Sequence, residues 1–111
     1  MAMKLPNYLR TFRKRAYLTQ DELAFLLGTE SGTRVSRYEQ FDREPGLETA
    51  LAYQVIFAES SAELFAGLYE RIAHHVGERA SALVLRLEGR SPNPVLRHKL
   101  EVLRDILRRV S

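Results

Sequence analysis

Helical periodicity is the feature that most limits what this chain can fold into. Apolar residues recur at helical spacing of three and four along most of the sequence, and strand-like alternation is nearly absent. Three turn-forming clusters interrupt the pattern, at 28–32, 41–46 and 89–94. We therefore predict an all-α protein with helices at about 7–16, 20–27, 32–40, 47–57, 61–88 and 94–109.

Local signals mark where several of these helices begin and end. Thr19 and Glu22 have the Thr-x-x-Glu spacing of a capping box, and Ser60 with Glu63 has the matching Ser-x-x-Glu spacing. Gly28 follows the second helix, at a position where a left-handed residue commonly ends one. We also expect five aromatic side chains in the core: Tyr8, Phe12, Phe25, Phe57 and Phe65.

Length and composition exclude several classes of protein. A chain of 111 residues suits one domain, with room for an appended helix. The absence of cysteine excludes disulfides and thiolate metal sites. No apolar run approaches the roughly 20 residues that a membrane span needs, and the N-terminus lacks the apolar segment of an export signal. We therefore expect a cytoplasmic protein.

The net charge of +3 is unevenly distributed along the chain. Residues 1–46 carry 8 basic and 6 acidic groups, residues 47–89 carry 3 and 6, and residues 90–111 carry 6 and 2. A basic front and a basic tail suit an anionic partner at either end. A solvated surface without any partner explains the charges equally well.

The helix predicted at 32–40, with Ser31 as its cap, has a polar face. Positions i, i+3, i+4 and i+7 place four side chains together: Thr33, Ser36, Arg37 and Gln40. Val35 and Tyr38 lie on the other side and can pack on the preceding helix. Arginine can bond guanine, glutamine can bond adenine and the threonine methyl can contact thymine. This arrangement indicates a helix-turn-helix that reads DNA, although a solvated helix face has the same pattern.

An ordered set of motifs supports the DNA-binding interpretation. The segments LRTFRKRAYLTQDELAFLLG, VSRYEQ and REPGLETALAYQVIF resemble the helix-turn-helix domains of phage repressors and Cro proteins, the xenobiotic-response-element (XRE) family. The resemblance runs from about Tyr8 to Phe65. It implies a lambda-repressor-like DNA-binding domain of five helices at 1–66, and it leaves 67–111 as a C-terminal helical extension and candidate dimerisation region. It further implies a sequence-specific transcriptional regulator of double-stranded DNA that needs no cofactor.

The same resemblance assigns roles to individual residues. The positions that it places at DNA are Gln20, Thr33, Arg34, Ser36, Arg37 and Arg43. We expect Thr33, Ser36 and Arg37 to read bases and the other three to hold phosphates. Arg13 and Glu39 match a pair that joins the first helix to the end of the third in many members, and we interpret them as a structural ion pair.

The chain departs from the family pattern at the turn and after the recognition helix. Between Gly28 and Val35 it has one residue more than usual, which predicts a looser turn. Phe41 occupies a position where glycine is common, and Asp42 one where a basic residue is common. An acidic group near phosphate weakens binding, so these departures affect the DNA contact more than the fold.

No pattern in the sequence indicates an enzyme. It has no His-Glu-x-x-His, no glycine-rich phosphate loop and no Gly-x-Ser-x-Gly. Glu70, His74 and Glu78 share a helix face at four-residue spacing, which is conceivable for a weak metal site. A solvated face is the favoured interpretation, and we predict no metal.

The last helix has a heptad stripe beside a basic face. The stripe comprises Leu96, Leu100, Leu103, Leu107 and Val110. It can pack on its own chain or form a homodimer interface, and we favour a partner chain because helix-turn-helix proteins read paired half-sites. The rival hypothesis is an antitoxin-like or adaptor protein-interaction module that uses the same helices to bind a protein.

Overall fold

The computed structural model describes residues 6–110, and this part of the chain consists of helices and connections without any strand. The helices are α1 Leu9–Arg15, α2 Gln20–Leu27, α3 Gly32–Glu39, α4 Leu47–Phe57, α5 Ser61–Leu64, α6 Ala66–Glu88 and α7 Pro94–Val110. The predicted all-α class, five short helices followed by a helical extension, is confirmed. Within the described range, no helix is long and apolar enough to span a membrane. The chain divides into two compact units between Tyr69 and Glu70.

Both ends of α2 are fixed by local hydrogen bonds. The Thr19 hydroxyl accepts from the Glu22 backbone N–H at 3.0 Å, and the Glu22 carboxylate accepts from the Thr19 N–H at 2.8 Å. The bond from the Thr19 backbone is the main cause that lowers the pKa of Glu22 below its ordinary 4.5. Gly28 ends the helix with φ 75°, and the Thr29 N–H donates to the Ala24 carbonyl at 3.0 Å. The predicted capping box and left-handed end are confirmed.

The core of the first unit is a single cluster of apolar side chains that includes Tyr53 of α4. Its buried members are Leu9, Leu23, Ala24, Val35, Tyr38, Tyr53, Leu64 and Phe65. The Tyr53 ring meets those of Tyr38 and Phe65 edge-on, with centroids 6.4 and 6.0 Å apart. Because Val35 and Tyr38 belong to this cluster, the inner face of α3 is fixed and its opposite face points outward.

The prediction of one helix at 61–88 is wrong, because the chain leaves the helix at Phe65. There φ is −119° and ψ is 50°, which ends α5 and lets α6 begin at Ala66. The break turns the Phe65 side chain into the core, where it is 8 % exposed. Gly67 then donates its N–H to the Pro6 carbonyl at 2.9 Å. Aromatic packing and this backbone contact outweigh continuation of the helix.

Two of the five aromatic residues expected in the core lie at the surface. Phe12 and Phe57 are half-buried against the core, whereas Phe25 is 84 % and Tyr8 52 % exposed. Successive residues of a helix point about 100° apart, so α2 cannot bury Phe25 together with Leu23 and Ala24. Tyr8 precedes the first helical turn, because α1 begins at Leu9 rather than at the predicted position 7.

The second unit is a helical hairpin in which α6 and α7 are antiparallel. Leu87 and Leu96 are buried beside the connecting loop, and Arg104 Nη2 donates to Glu88 Oε1 at 3.0 Å. Further along, a Cβ atom on Gly77 would lie 3.1 Å from Val110 Cγ2. The predicted heptad stripe is therefore buried or half-buried along α7. Apolar side chains that remain 39–50 % exposed in this unit are Ile72, Val76, Leu83 and Val102.

Candidate nucleic-acid interface

The outer face of α3 carries the polar side chains that the helical spacing predicts. Thr33, Arg37 and Gln40 are exposed and Ser36 is half-buried. Gln40 Nε2 donates to Ser36 Oγ at 3.2 Å, which links two of these side chains along the face. The face therefore offers hydroxyl, amide and guanidinium groups, all of which can bond base edges or phosphate oxygens.

An open groove separates this face from the start of α2. Its lining residues are Thr19, Gln20, Asp21, Gly32, Thr33 and Ser36. The groove brings together three of the residues that the sequence assigns to DNA, one on α2 and two on α3. Their side chains provide hydrogen-bond donors and acceptors along one continuous surface.

None of the three predicted DNA-binding arginines lines that groove: Arg37 is exposed on α3, and the other two border separate depressions. Arg34 is half-buried and borders a second depression, between Glu30 and the beginning of α4 at Glu48. Arg43 is exposed and borders a small pocket that includes Asn7. The structure thus separates Arg34 and Arg43 from the groove.

A buried carboxylate joins three helices behind the interface. Arg13 Nε and Nη2 donate to Glu39 Oε2 and Oε1 at 2.6 and 3.0 Å, and Gln20 Nε2 donates to Glu39 Oε1 at 3.2 Å. The exposed fractions of the Arg13 and Glu39 side chains are 11 % and 2 %. The hydrogen bond with Glu39 is the main cause that raises the pKa of Arg13. This cluster fixes the end of α3 to α1 and to the start of α2.

Gln20 has a position in both the groove and the buried cluster. Its amide nitrogen bonds Glu39, and the residue also lines the groove beside Thr33. The amide is therefore held by a buried group while it borders the surface that would receive a ligand.

Two residues that organise α3 are absent from the predicted site. Asp21 Oδ1 accepts from the Gly32 N–H at 3.0 Å, whereas the hydroxyl of Ser31, the expected cap, makes no capping bond within residues 6–110. Asn7 Nδ2 donates to the Tyr38 carbonyl at 2.9 Å, and Asn7 Oδ1 accepts from the Leu9 N–H at 3.1 Å. The role of Asn7 is detectable in the sequence, since asparagine just before a helix is a common cap. Nothing in the sequence indicates the hydrogen bond between Asp21 and the distant Gly32.

Backbone conformation explains the glycine expected at position 41. Phe41 has φ 65°, in the left-handed region that glycine enters without steric cost. The next residue, Asp42, donates its N–H to the Arg37 carbonyl at 3.0 Å. The loop after α3 therefore places a non-glycine residue in a left-handed conformation that glycine adopts more readily.

The exposed His74–Glu78 pair belongs to α6, in the second unit. His74 Nε2 is 2.5 Å from Glu78 Oε1, and their side chains are 70 % and 66 % exposed. In the part of the chain that the structure describes, no three metal-ligating side chains form a group that could hold an ion.

Two packed helices joined by a turn, with the polar face of the second held outward by a buried cluster, define a helix-turn-helix protein. The sequence profile of the helix-turn-helix family matches residues 9–64, half of the 111-residue chain. The chain belongs to this family, the Cro- and lambda-repressor-like XRE regulators, whose helix-turn-helix domain binds DNA. No curated protein and no solved structure matches the chain significantly.

Proposed function

We propose that the protein is a homodimeric transcriptional regulator that recognises a specific DNA sequence by placing α3 in the major groove. The observation that carries the proposal is the outward polar face of α3, supported by the core and by the Glu39 cluster. A helix held in this way can present several side chains to base edges at fixed positions.

The residues of the interface would divide into base readers and phosphate contacts. Arg37 is exposed in the second turn of α3, where its guanidinium can fork onto the O6 and N7 atoms of guanine. Thr33 and Ser36, which line the protein groove between α2 and α3, would contact neighbouring bases. Gln20, with the more peripheral Arg34 and Arg43, would hold phosphates and thereby orient the helix.

The helical hairpin supplies the argument for a dimer. Two helices bury little apolar surface on their own, and both α6 and α7 keep apolar side chains about half exposed, such as Ile72 and Val102. A second copy would cover them and would present two recognition helices to half-sites about one DNA turn apart. In this proposal, residues 1–66 bind DNA and residues 67–111 form the dimer, which is the domain division predicted from the sequence.

Selection from random-sequence DNA with the purified full chain tests the proposal. We expect enrichment of one motif made of two half-sites with centres about 10 base pairs apart. Arg90→Ala, which removes one exposed charge from the loop between α6 and α7, is the control and should select the same motif. Failure of the unaltered protein to enrich any motif would contradict the proposal.

A second candidate function, an antitoxin-like or adaptor module, rests on a different surface. Leu47, Leu51 and Val55 follow one side of α4 at four-residue spacing and are 77, 49 and 82 % exposed. An apolar stripe of this kind suits a protein partner. Its affinity would respond weakly to salt, whereas DNA binding weakens steeply as salt increases.

A further inference from the structure

The start of α3 is held by a side chain from the preceding helix. The Gly32 N–H is one of the first-turn donors that an α-helix leaves without an internal partner. Asp21, in the first turn of α2, accepts it at 3.0 Å across eleven positions of sequence. This contact takes the place of the expected cap from Ser31, the adjacent residue.

Gly32 lies where there is little space for a side chain. Its φ is not in the left-handed region, but an added Cβ atom would lie 2.4 Å from Asp21 Oδ1 and 3.1 Å from the Asp21 nitrogen. The same Cβ would also be 3.2 Å from the carbonyl carbon of Gln20. The absence of a side chain thus lets the beginnings of α2 and α3 approach each other closely.

The extra residue in the turn makes such a contact important. A turn one residue longer than usual constrains the entry of α3 less tightly. The Arg13–Glu39–Gln20 cluster fixes the opposite end of the helix. Asp21 therefore supplies the restraint at the end where Thr33, the residue after Gly32, borders the groove.

We propose that Asp21 is a positioning residue that, through its contact with Gly32, sets where Thr33 meets the DNA and so influences which bases are preferred. This inference rests on the proposed function, because it concerns sequence preference at the same interface. A negative charge beside a phosphate-binding groove lowers affinity. Its presence there is explained by the hydrogen bond that it accepts.

Two substitutions separate the hydrogen bond from the charge. Asp21→Asn removes the charge but keeps an oxygen that can accept from Gly32, whereas Asp21→Ala removes both. Asp21 is exposed, so both variants should fold, which thermal unfolding checks. We would measure hydrogen exchange of the Gly32 amide by NMR and select random-sequence DNA with each full-length variant.

The hydrogen bond predicts different results for the two variants. In Asp21→Ala, exchange at Gly32 should be about two- to tenfold faster, and preference at the bases next to Thr33 should fall about fivefold or more. Asp21→Asn should resemble the unaltered protein in both measurements, with somewhat tighter binding to all sequences because the charge is gone.

Each alternative outcome overturns a defined part of the inference. Unchanged exchange in Asp21→Ala would mean that the bond does not hold Gly32, and faster exchange with unchanged preference would leave it a purely structural role. Equal changes of preference in both variants would assign the effect to charge. A different result is possible, in which the unaltered protein selects no DNA sequence but Gly32 still exchanges faster in Asp21→Ala. The proposed function and the positioning role would then both fail, whereas the hydrogen bond between Asp21 and Gly32 would be confirmed.

Discussion

Tyr17, between α1 and α2, adopts a backbone conformation that disfavours its side chain. Its φ is 58° and the side chain is 93 % exposed, so replacement removes strain without loss of packing. Tyr17→Gly should raise the free energy of unfolding by about 0.5–1 kcal/mol. This is the difference between the backbone strain that glycine relieves in the folded state and the extra conformational entropy that glycine has in the unfolded state. Chemical denaturation measures this. Tyr17→Ala, which keeps the Cβ atom, is the control; equal stability of the two variants would refute the argument from strain.

Arg37 and Arg43 should affect DNA binding in different ways. Arg37→Ala should cost roughly 1–3 kcal/mol for each half-site of the selected sequence and relax preference at one base position in each, since the guanidinium would contact a base. Arg43→Ala should weaken binding to all sequences about equally and make the salt slope of the dimer shallower by about 1.8, roughly 0.9 for each protomer, since the residue lies in the loop after α3. The adjacent Asp42 offsets part of that second effect.

Titration of selected and scrambled DNA separates the two predictions, with Arg90→Ala as the control. If Arg37→Ala left the ratio of the two affinities unchanged, α3 would not be the reader. The extra residue in the preceding turn would then have shifted the helix from the register that the family pattern implies.

At the scale of the helices, the Arg13–Glu39 pair should be necessary for the position of α3. Arg13→Met removes the two hydrogen bonds that Arg13 donates to the buried Glu39 carboxylate and leaves it only the bond from Gln20. The loss should lower the free energy of unfolding by about 3 kcal/mol. Glu39→Met combined with Arg13→Met should restore part of it, because no unpaired charge remains. Lys14→Met, at the exposed neighbour, is the control. Additive losses in a urea-denaturation cycle would show that the two side chains act independently.

Much of the helix-turn-helix is predictable because its signals are local. The capping box at Thr19, the left-handed Gly28 and the polar spacing of α3 each depend on residues within two helical turns. The contact between Arg13 and Glu39 is not local, and it was anticipated through resemblance to a family rather than from spacing. The site predicted from the sequence therefore contains the face of α3 and its buried support.

The remaining features depend on contacts between distant segments. Helical periodicity continues through Phe65, so the sequence pattern does not indicate the break between α5 and α6. The break depends on packing of the Phe65 ring against Tyr53, which is distant in sequence. Asp21 looks like an ordinary first-turn acid of α2 until the turn brings Gly32 within hydrogen-bond distance. Phe25 is apolar, but it lies two residues after the buried Leu23 and therefore points to the opposite side of α2, away from the core.

At the scale of the whole molecule, the chain should be dimeric at micromolar concentration through residues 61–111. The reason is the half-exposed apolar surface of the α6–α7 hairpin, which includes Val102 at 44 %. Val102→Glu in the full chain should reduce the mass measured by light scattering to that of a monomer. His98→Glu, an exposed position on the same helix, is the control.

The chain shortened to end at Gly89 tests the contribution of α7 separately. A monomeric mass for this chain and a dimeric mass for the full one would place α7 in the interface. Monomeric masses for both would reject the dimer, whereas dimeric masses for both would remove α7 from the interface.

The salt dependence of binding to the selected DNA sequence tests the central claim, that α3 and its flanking cations form a DNA-reading surface. If Arg34 and Arg43 each neutralise one phosphate in both protomers, the logarithm of the association constant should fall with the logarithm of salt concentration with a slope of about −3.6 or steeper. The preference over scrambled DNA should persist throughout. A slope near zero, or equal affinity for both sequences at every salt concentration, would contradict this account.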